Sequence, residues 1–148
     1  MLDYWEAVAF RKIIVALDSV APGLPRLHAL TRIAARAGHD PAHGGTAAEP
    51  ALREWARYAP DVALVVNRVD AGRIAYVTEC LQGTLAPDQD WSLQARQFYA
   101  AFLGLQALQG APEADVIALI DLVDRLTQAT VGKSLGLPSI TAAQAVAG

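Results

Sequence analysis

Cysteine, histidine and long apolar runs are scarce in this sequence of 148 residues. The single cysteine, Cys80, cannot form an internal disulfide, and it excludes a zinc site built from several thiolates. The longest apolar candidate, residues 115–126, contains Asp121 and Asp124, so it falls short of the ~20 apolar residues that a membrane-spanning helix requires. The first residues, MLDYWE, lack the basic start and apolar stretch of a secretory signal. These features predict a soluble, cytoplasmic protein with one core.

Basic charge is also scarce, and it is unevenly distributed. Residues 1–82 carry nine Lys or Arg and nine Asp or Glu, whereas residues 83–148 carry three and six, which accounts for the net charge of −3. A surface that binds duplex DNA needs a concentrated set of basic side chains to neutralise phosphates. The sequence therefore predicts no nucleic-acid partner, and it predicts no insertion into a membrane.

Apolar residues at helical spacing are abundant, within an apolar content of 53%. The spacing predicts helices at residues 3–10, 24–37 and 48–59, and an antiparallel helical hairpin at residues 91–131, joined at 109–112. In the third helix, Leu52, Trp55 and Ala56 are expected to lie on one side.

Two stretches instead suggest strands. The run IIVAL at 13–17 is short and rich in β-branched residues, which favours a buried strand. In DVALVVNRVDAGRIAYVTECLQG, residues 61–83, apolar residues alternate on both sides of Asp70-Ala71-Gly72, and Gly72 can adopt the positive φ of a tight turn. This pattern predicts a β-hairpin at 61–82. The alternative, one continuous helix, would have to tolerate Gly72 and many β-branched residues in its interior.

Together these elements predict a mostly helical α+β protein, in which a small sheet containing the 61–82 hairpin is covered by helices. The composition changes at GTLAPDQD, residues 83–90, which is typical of a boundary. We therefore expect an α/β unit at 1–83, a helical hairpin at 84–133 packed on it, and a weakly ordered tail at 134–148.

The sequence TVGKS at 130–134 ends in the Gly-Lys-Ser of a P-loop, but its setting is wrong for one. A P-loop has another glycine five positions before the second, where this chain has Thr127. The motif should also open a helix, whereas Gly132 is expected to end one, where carbonyl groups repel phosphate. A nucleotide-using enzyme acting through Gly132, Lys133 and Ser134 is therefore disfavoured, and a helix C-cap is favoured.

The remaining candidates for chemistry favour structural interpretations. His39 and His43 lie in the predicted loop 39–46 without an evident third ligand, so a solvated loop is favoured over a metal site. His28, beside Leu27 in the predicted helix 24–37, is expected to be a boundary residue and not a catalyst, and Cys80 a small buried side chain. The sequence predicts no catalytic, cofactor-binding or metal-binding residue and no cofactor. A stripe of aromatic residues is more typical of core than of a partner anchor; it comprises Trp91, Phe98 and Phe102.

Three segments of residues 1–83 carry a resemblance to a known family. These segments are MLDYWEAV, IIVALDSVAPGLPRLHALTRIAARAG and LREWARYAPDVALVVNRVDAGRIAYVTECLQG. In order, they resemble the later half of the RecA-like motor domain of type II and type IV secretion, conjugation and pilus-assembly ATPases. The last segment is the most specific, and its matching positions are Asp61, Val62, Val65, Arg68, Gly72, Arg73, Val77, Glu79 and Gly83.

The departures from that family concern its catalytic parts. No Walker A sequence is present, no Walker B strand precedes Met1, and the positions of the family's phosphate sensor hold Val15, Leu17 and Ser19. Without a phosphate cradle or a magnesium carboxylate, the charge of phosphoryl transfer has no stabilising partner. The resemblance therefore implies a protein that is not an enzyme.

The function expected from this resemblance is a non-catalytic interaction module of a secretion, conjugation or pilus system. Its partner would be a protein, such as a full-length secretion or pilus ATPase, or a second copy of the chain. The alternative is a free-standing helical regulatory or adaptor domain that is unrelated to secretion. Strand content separates the two hypotheses, because only the first requires the hairpin.

Overall fold

A computed structural model of the chain describes residues 2–37, 45–83, 90–108 and 113–134. All regular elements in these ranges are helical, and the ranges contain no β-strand. The elements are α1 (Leu2–Glu6), a π-helical segment (Ala7–Arg11), α2 (Lys12–Leu17), α3 (Leu24–Ala37), α4 (Gly45–Ala56), α5 (Pro60–Gln82), α6 (Ser92–Ala107), α7 (Glu113–Ile117) and α8 (Leu119–Ser134). The predicted α+β class, with its small sheet, is therefore wrong.

The predicted hairpin at 61–82 is one helix, α5, which runs without interruption from Pro60 to Gln82. Pro60 fits the first turn, where no backbone N–H is required for a helical bond, and Asp61 lies near the positive end of the helix dipole. Its buried residues follow helical spacing: Val62, Val66, Val69, Val77, Cys80 and Leu81. Leu64, which strand alternation would place beside Val62, is 69% exposed. Because apolar residues occur at both sets of alternating positions in this stretch, the helical spacing of the buried residues was not apparent from the sequence.

The predicted strand at 13–17 is also helical. It lies in α2, and α1, the π-helical segment and α2 follow one another without a break from Leu2 to Leu17. Burial is one-sided in the manner of a helix, since Leu17 is fully buried whereas Val15 is 70% exposed. The β-branched residues of this run therefore do not indicate an extended backbone.

The core has two parts that share α5. The larger cluster joins α3, α5, α6, α7 and α8; its buried members are Leu27, Ala35, Val77, Cys80, Leu81, Trp91, Ala95, Phe98, Val116, Leu119 and Val123. The smaller cluster lies between α4 and the first turns of α5, and its members are Leu52, Val62 and Val66, with Leu2 and Trp5 packed against them. α5 is therefore the central helix of the fold.

The C-terminal region differs in detail from the predicted helical hairpin at 84–133. Its second helix is divided near Ala118 into α7 and α8, and both contact α3 as well as α6. Residues 84–89, the joining segment 109–112 and the tail beyond Ser134 lie outside the described residues. None of the helices in the described part of the chain combines the length and the apolar character needed to cross a membrane.

Two glycines meet where the start of α3 approaches the end of α5. Gly23 has φ +85°, in the left-handed region that favours glycine, and a Cβ atom built on it would lie 3.1 Å from the carbonyl oxygen of Gly83. The Gly23 carbonyl also accepts a hydrogen bond from the Leu27 N–H at 3.2 Å. This close approach sets the spacing between α3 and α5 at one end of the larger core cluster.

Gly72 has a packing role in place of the predicted turn. A Cβ atom built on it would lie 3.2 Å from two carbons of the Phe10 ring. Phe10 belongs to the π-helical segment, so the absent side chain lets that segment lie against α5. Glycine inside a helix costs about 0.5–1 kcal/mol relative to alanine, and the Phe10 contact is what offsets this cost.

This role predicts a difference between two glycine substitutions. Gly104→Ala, at an α6 position where an added Cβ meets nothing within 4 Å, should raise the free energy of unfolding by about 0.5–1 kcal/mol. Gly72→Ala should gain less than this or destabilise the chain, because Phe10 must move. In a Phe10→Ala background the Gly72→Ala step should recover the full gain. Urea denaturation measures all three effects, and an equal gain at both glycines in the natural background would contradict the packing role.

Candidate functional site

The most elaborate polar feature in the described residues joins three helices. Glu49 and Arg53 of α4, Asp70 and Arg73 of α5, and Tyr99 of α6 converge, and we call them the α4–α6 cluster. Two guanidinium groups and two carboxylates balance in charge. The four charged side chains are between 16% and 28% exposed, so water reaches the cluster only in part.

Arg53 is the link between α4 and α5. Its Nη1 and Nη2 donate to Asp70 Oδ2 at 2.9 Å and Oδ1 at 2.7 Å, which is the two-pronged geometry that suits a guanidinium and a carboxylate. Nη2 also lies 2.7 Å from Oε1 of Glu49, one turn earlier in α4. Within the described part of the chain, the buried Nε of Arg53 has no hydrogen-bond partner.

Arg73 and Tyr99 complete the cluster. Arg73 donates to Glu49 from Nη1 at 2.7 Å and from Nη2 at 3.2 Å, and its guanidinium lies 5.9 Å from the centre of the Tyr99 ring. The Tyr99 hydroxyl donates to Asp70 Oδ1 at 2.6 Å and accepts from both arginines at 3.0 Å. One tyrosine of α6 therefore contacts the charged pairs of both other helices.

Burial and the neighbouring groups shift the pKa values of Glu49, Asp70 and Tyr99. Burial disfavours the ionised form of Glu49, but Arg73 and Arg53 outweigh it and hold the pKa of Glu49 below its usual range. Burial likewise opposes ionisation of Asp70, and hydrogen bonds from Arg53 and Tyr99 lower its pKa nonetheless. Burial is the largest cause that raises the pKa of Tyr99 to about 12, with the Asp70 contact adding to it and Arg73 opposing.

This arrangement suits a structural clamp better than a catalytic centre. A general base needs a pKa near the working pH, whereas the two carboxylates are held ionised and the phenol is held protonated. Within the described ranges no group of three or more His, Cys, Asp or Glu side chains comes together. The cluster holds three helices at fixed spacing.

Part of this cluster was visible in the sequence. Glu49 and Arg53 are four residues apart, a spacing that places opposite charges together on a helix, and Asp70 and Arg73 are three apart. Neither spacing was used in the sequence analysis, where a hairpin turn was expected at 70–72, and in the structure Asp70 bonds Arg53 while Arg73 bonds Glu49. Tyr99, in a third helix, has no local signal that points to the other four residues.

The outer face of α4 carries exposed aromatic residues. Trp55 is 45% exposed and Tyr58, just past the helix, is 79% exposed, while Leu52 is buried beneath them. Of the three residues expected on one side of this helix, Leu52 and Ala56 belong to the smaller core cluster, whereas Trp55 is exposed. The exposed Ala51 lies one turn before Trp55, and an ion pair at 3.3 Å joins the exposed Glu54 and Arg57. We call Ala51, Glu54, Trp55, Arg57 and Tyr58 the α4 outer face.

The other candidates from the sequence are dispersed in the fold. Gly132, Lys133 and Ser134 form the last turn of α8, so Gly132 lies inside the helix and does not end it, and this carbonyl-rich end is unsuited to phosphate. His39 and His43 lie outside the described residues. His28 of α3 contacts Asp124 of α8 at 2.9 Å, where it joins two helices.

The cysteine and the aromatic stripe contribute to the core. Cys80, Trp91 and Phe98 are buried in the larger cluster, and Phe102 packs against it from a half-buried position. Tyr99 stacks on Phe102 with ring centres 6.3 Å apart, so the core of α6 adjoins the α4–α6 cluster. Among the described residues, the exposed aromatic side chains then include Trp55 of α4, Tyr58 just past that helix and Tyr4 of α1.

Comparison with known proteins gives no family for the chain. No protein-family model matches it, and neither a curated protein nor a solved structure matches it significantly.

The cluster predicts a specific response to acid. Because the pKa values of Glu49 and Asp70 are lowered on folding, their stabilisation is complete above the unfolded carboxyl value of about 4 and is lost as the pH falls through the folded values. Asp70→Asn should lower the free energy of unfolding at neutral pH by about 2 kcal/mol, since it leaves Arg53 partly unpaired. It should also make the stability depend less on pH below about pH 4, the unfolded carboxyl value.

Urea denaturation at several pH values measures both effects. Glu79→Gln, at an exposed position of the same helix, is the matched control and should change stability by less than about 0.5 kcal/mol. Equal effects of the two substitutions would show that the cluster does not hold the helices together.

The burial of Cys80 predicts that its thiol reacts slowly. Burial raises its pKa to about 11, against an ordinary value of 9.0, so the folded chain should hold about a hundredfold less thiolate than the unfolded chain. Reaction with a disulfide reagent should be slower by at least that factor in the native chain than in urea. A Cys80→Ala chain carrying Leu93→Cys, at an exposed position of α6, should react at the rate of a free thiol. Fast native reaction of Cys80 would contradict its placement.

Proposed function

We propose that the chain is a non-catalytic helical domain that acts by binding another protein through the α4 outer face. The observation that carries the proposal is the pair of exposed aromatic residues, Trp55 and Tyr58, at neighbouring positions of that face. Tryptophan and tyrosine are enriched at protein interfaces, where they contribute a large part of the binding free energy. Single exposed apolar residues are ordinary, but here two exposed aromatic residues lie three positions apart, one in the last turn of α4 and one in the turn that follows it.

The inner side of α4 is anchored to the rest of the fold, and this favours a binding role for its outer face. On the inner side of α4, Leu52 is buried in the smaller core cluster and Arg53 is anchored to Asp70 by two hydrogen bonds. A helix fixed in this way presents its outer side chains in one arrangement, which reduces the entropy lost when a partner binds. The α4–α6 cluster thus supplies rigidity to the surface and needs no catalytic role.

This proposal agrees with the helical adaptor hypothesis. Membership in a secretion, conjugation or pilus system, and a secretion or pilus ATPase as the partner, stay predictions that depend on the resemblance of residues 1–83. The described helices give that resemblance no support, because the segments it implied to be strands lie in α2 and α5. Several matching residues also have packing roles in the helical fold: Arg68 bonds Glu6 at 2.7 Å, Arg73 bonds Glu49, and Gly72 contacts Phe10.

Site-specific photo-cross-linking in the native cells tests the proposal. A chain with p-benzoylphenylalanine in place of Tyr58 should form a discrete adduct with a protein, and a Trp55→Ala substitution should reduce its yield at least about tenfold. The control carries the same group in place of Leu93, a residue of α6 that is also exposed, and should form no such adduct. If position 58 forms no adduct, or if position 93 forms the same one, the α4 outer face is not the binding surface.

A further inference from the structure

We infer that residues 2–16 form a strap that opens from the smaller core cluster as one unit while the rest of the fold stays intact. The strap comprises α1, the π-helical segment and most of α2. In its closed position, Leu2 and Trp5 pack on the smaller core cluster, and the Phe10 ring lies against Gly72 of α5. Opening uncovers the buried members of that cluster, and this change of conformation is separate from binding at the α4 outer face.

The strap buries little of its own surface. α1 has no buried residue, and Val8 is the one buried position among the strap side chains that the structure describes. Leu2, Trp5 and Phe10 are only half-buried. Because hydrophobic stabilisation grows with the apolar area removed from water, contacts of this kind hold a segment weakly. By contrast, the larger cluster joins its five helices through eleven buried residues.

The ion pair that joins the strap to α5 is open to water. Glu6 accepts hydrogen bonds from Nε and Nη2 of Arg68 at 2.7 and 3.1 Å, but the Arg68 side chain is 62% exposed. Water solvates both charges when such a pair breaks, so the pair adds little to the stability of the closed position. The charged side chains of the α4–α6 cluster, at most 28% exposed, have no such replacement.

Leu17 marks the end of the part that opens. It is fully buried, in contrast to the exposed Val15 and Ala16 before it. The turn that follows is held to α3, because Nε and Nη2 of Arg26 donate to the Val20 carbonyl at 3.1 and 2.7 Å. The Val20 N–H in turn donates to the Leu17 carbonyl at 3.0 Å. The strap therefore opens about a hinge between Ala16 and Leu17.

A released strap does not keep its helical hydrogen bonds. An isolated helix shorter than about 12–15 residues is marginal in water, and the strap is no longer than this. Its α-helical pattern is also interrupted by the π-helical turn at Ala7–Arg11, a rare and less favourable backbone form. The backbone amides of the strap are therefore exposed to solvent whenever it opens, and their exchange measures the opening.

Native-state hydrogen exchange of the full chain, followed by NMR, tests whether the strap opens before the rest of the fold. The amides of residues 6–16, corrected for their intrinsic rates, should exchange at least about a hundredfold faster than the slowest amides of α6. Their exchange should also respond less to low concentrations of urea, because opening the strap exposes less surface than unfolding the chain. Equal protection or an equal urea response in the two segments would overturn the inference.

A substitution in the larger cluster separates opening of the strap from unfolding of the chain. Val116→Ala, at a buried position of α7, should speed exchange of the slowest α6 amides at least about fivefold. It should leave exchange at residues 6–16 unchanged, because the larger cluster is retained whether the strap is open or closed. Equal acceleration of the two segments would show that the strap is released only when the whole chain unfolds.

A substitution within the strap distinguishes one cooperative unit from gradual fraying. Phe10→Ala removes the contact with Gly72 and should speed exchange at least about fivefold at every protected amide of residues 6–16, since one opening exposes all of them. Circular dichroism establishes that both variants are folded. Acceleration confined to the immediate neighbours of residue 10 would overturn the inference.

Discussion

The two-pronged contact between Arg53 and Asp70 is the constraint on which the arrangement of the three central helices depends. It links α4 to α5 through paired charges that are mostly withdrawn from water, and Tyr99 extends the contact to α6. Charges in such a setting require partners, because an unpaired guanidinium or carboxylate there loses its hydration without compensation. Hydrogen bonds of fixed geometry add a directional constraint to the apolar packing of Leu52 against Val62 and Val66. The contact therefore defines where the outer face of α4 points.

Arg73 of the same cluster adds to the reasons why the central helix was hard to recognise in the sequence. Position 73 lies on the buried side of α5 between Val69 and Val77, and it holds an arginine. That charge interrupts the apolar stripe by which a helix is recognised, and Gly72 beside it imitates a turn. Arg73 fits the buried side of a helix because Glu49 neutralises its charge and Tyr99 contacts it. Both of these residues lie in other helices. Local pattern could not supply this information, because the compensation is tertiary.

Other parts of the fold follow more directly from local pattern. α3 has the bounds predicted from its apolar spacing, 24–37, and Trp91 and Phe98 are buried as their spacing indicates. In these segments no buried charge interrupts the apolar stripe, and the buried Thr31 of α3 donates its hydroxyl to the Leu27 carbonyl of the same helix. The exposed aromatic face of α4 was not predictable in the same way. Trp55 follows the spacing of a core residue, and only the placement of Leu52 and Arg53 on the inner side shows that Trp55 points outward.

The meeting of Gly23 with Gly83 has a consequence for the evolution of this fold. A Cβ atom on Gly23 would lie 3.1 Å from the Gly83 carbonyl oxygen, and the φ of +85° would add backbone strain, whereas a Cβ atom on Gly83 would meet Gly23 at an ordinary 3.5 Å. Drift should therefore be slow at position 23, while position 83 and surface positions nearby diverge. A glycine at position 23, preceded by Pro22, would then be a signature by which distant relatives can be recognised after overall similarity has faded.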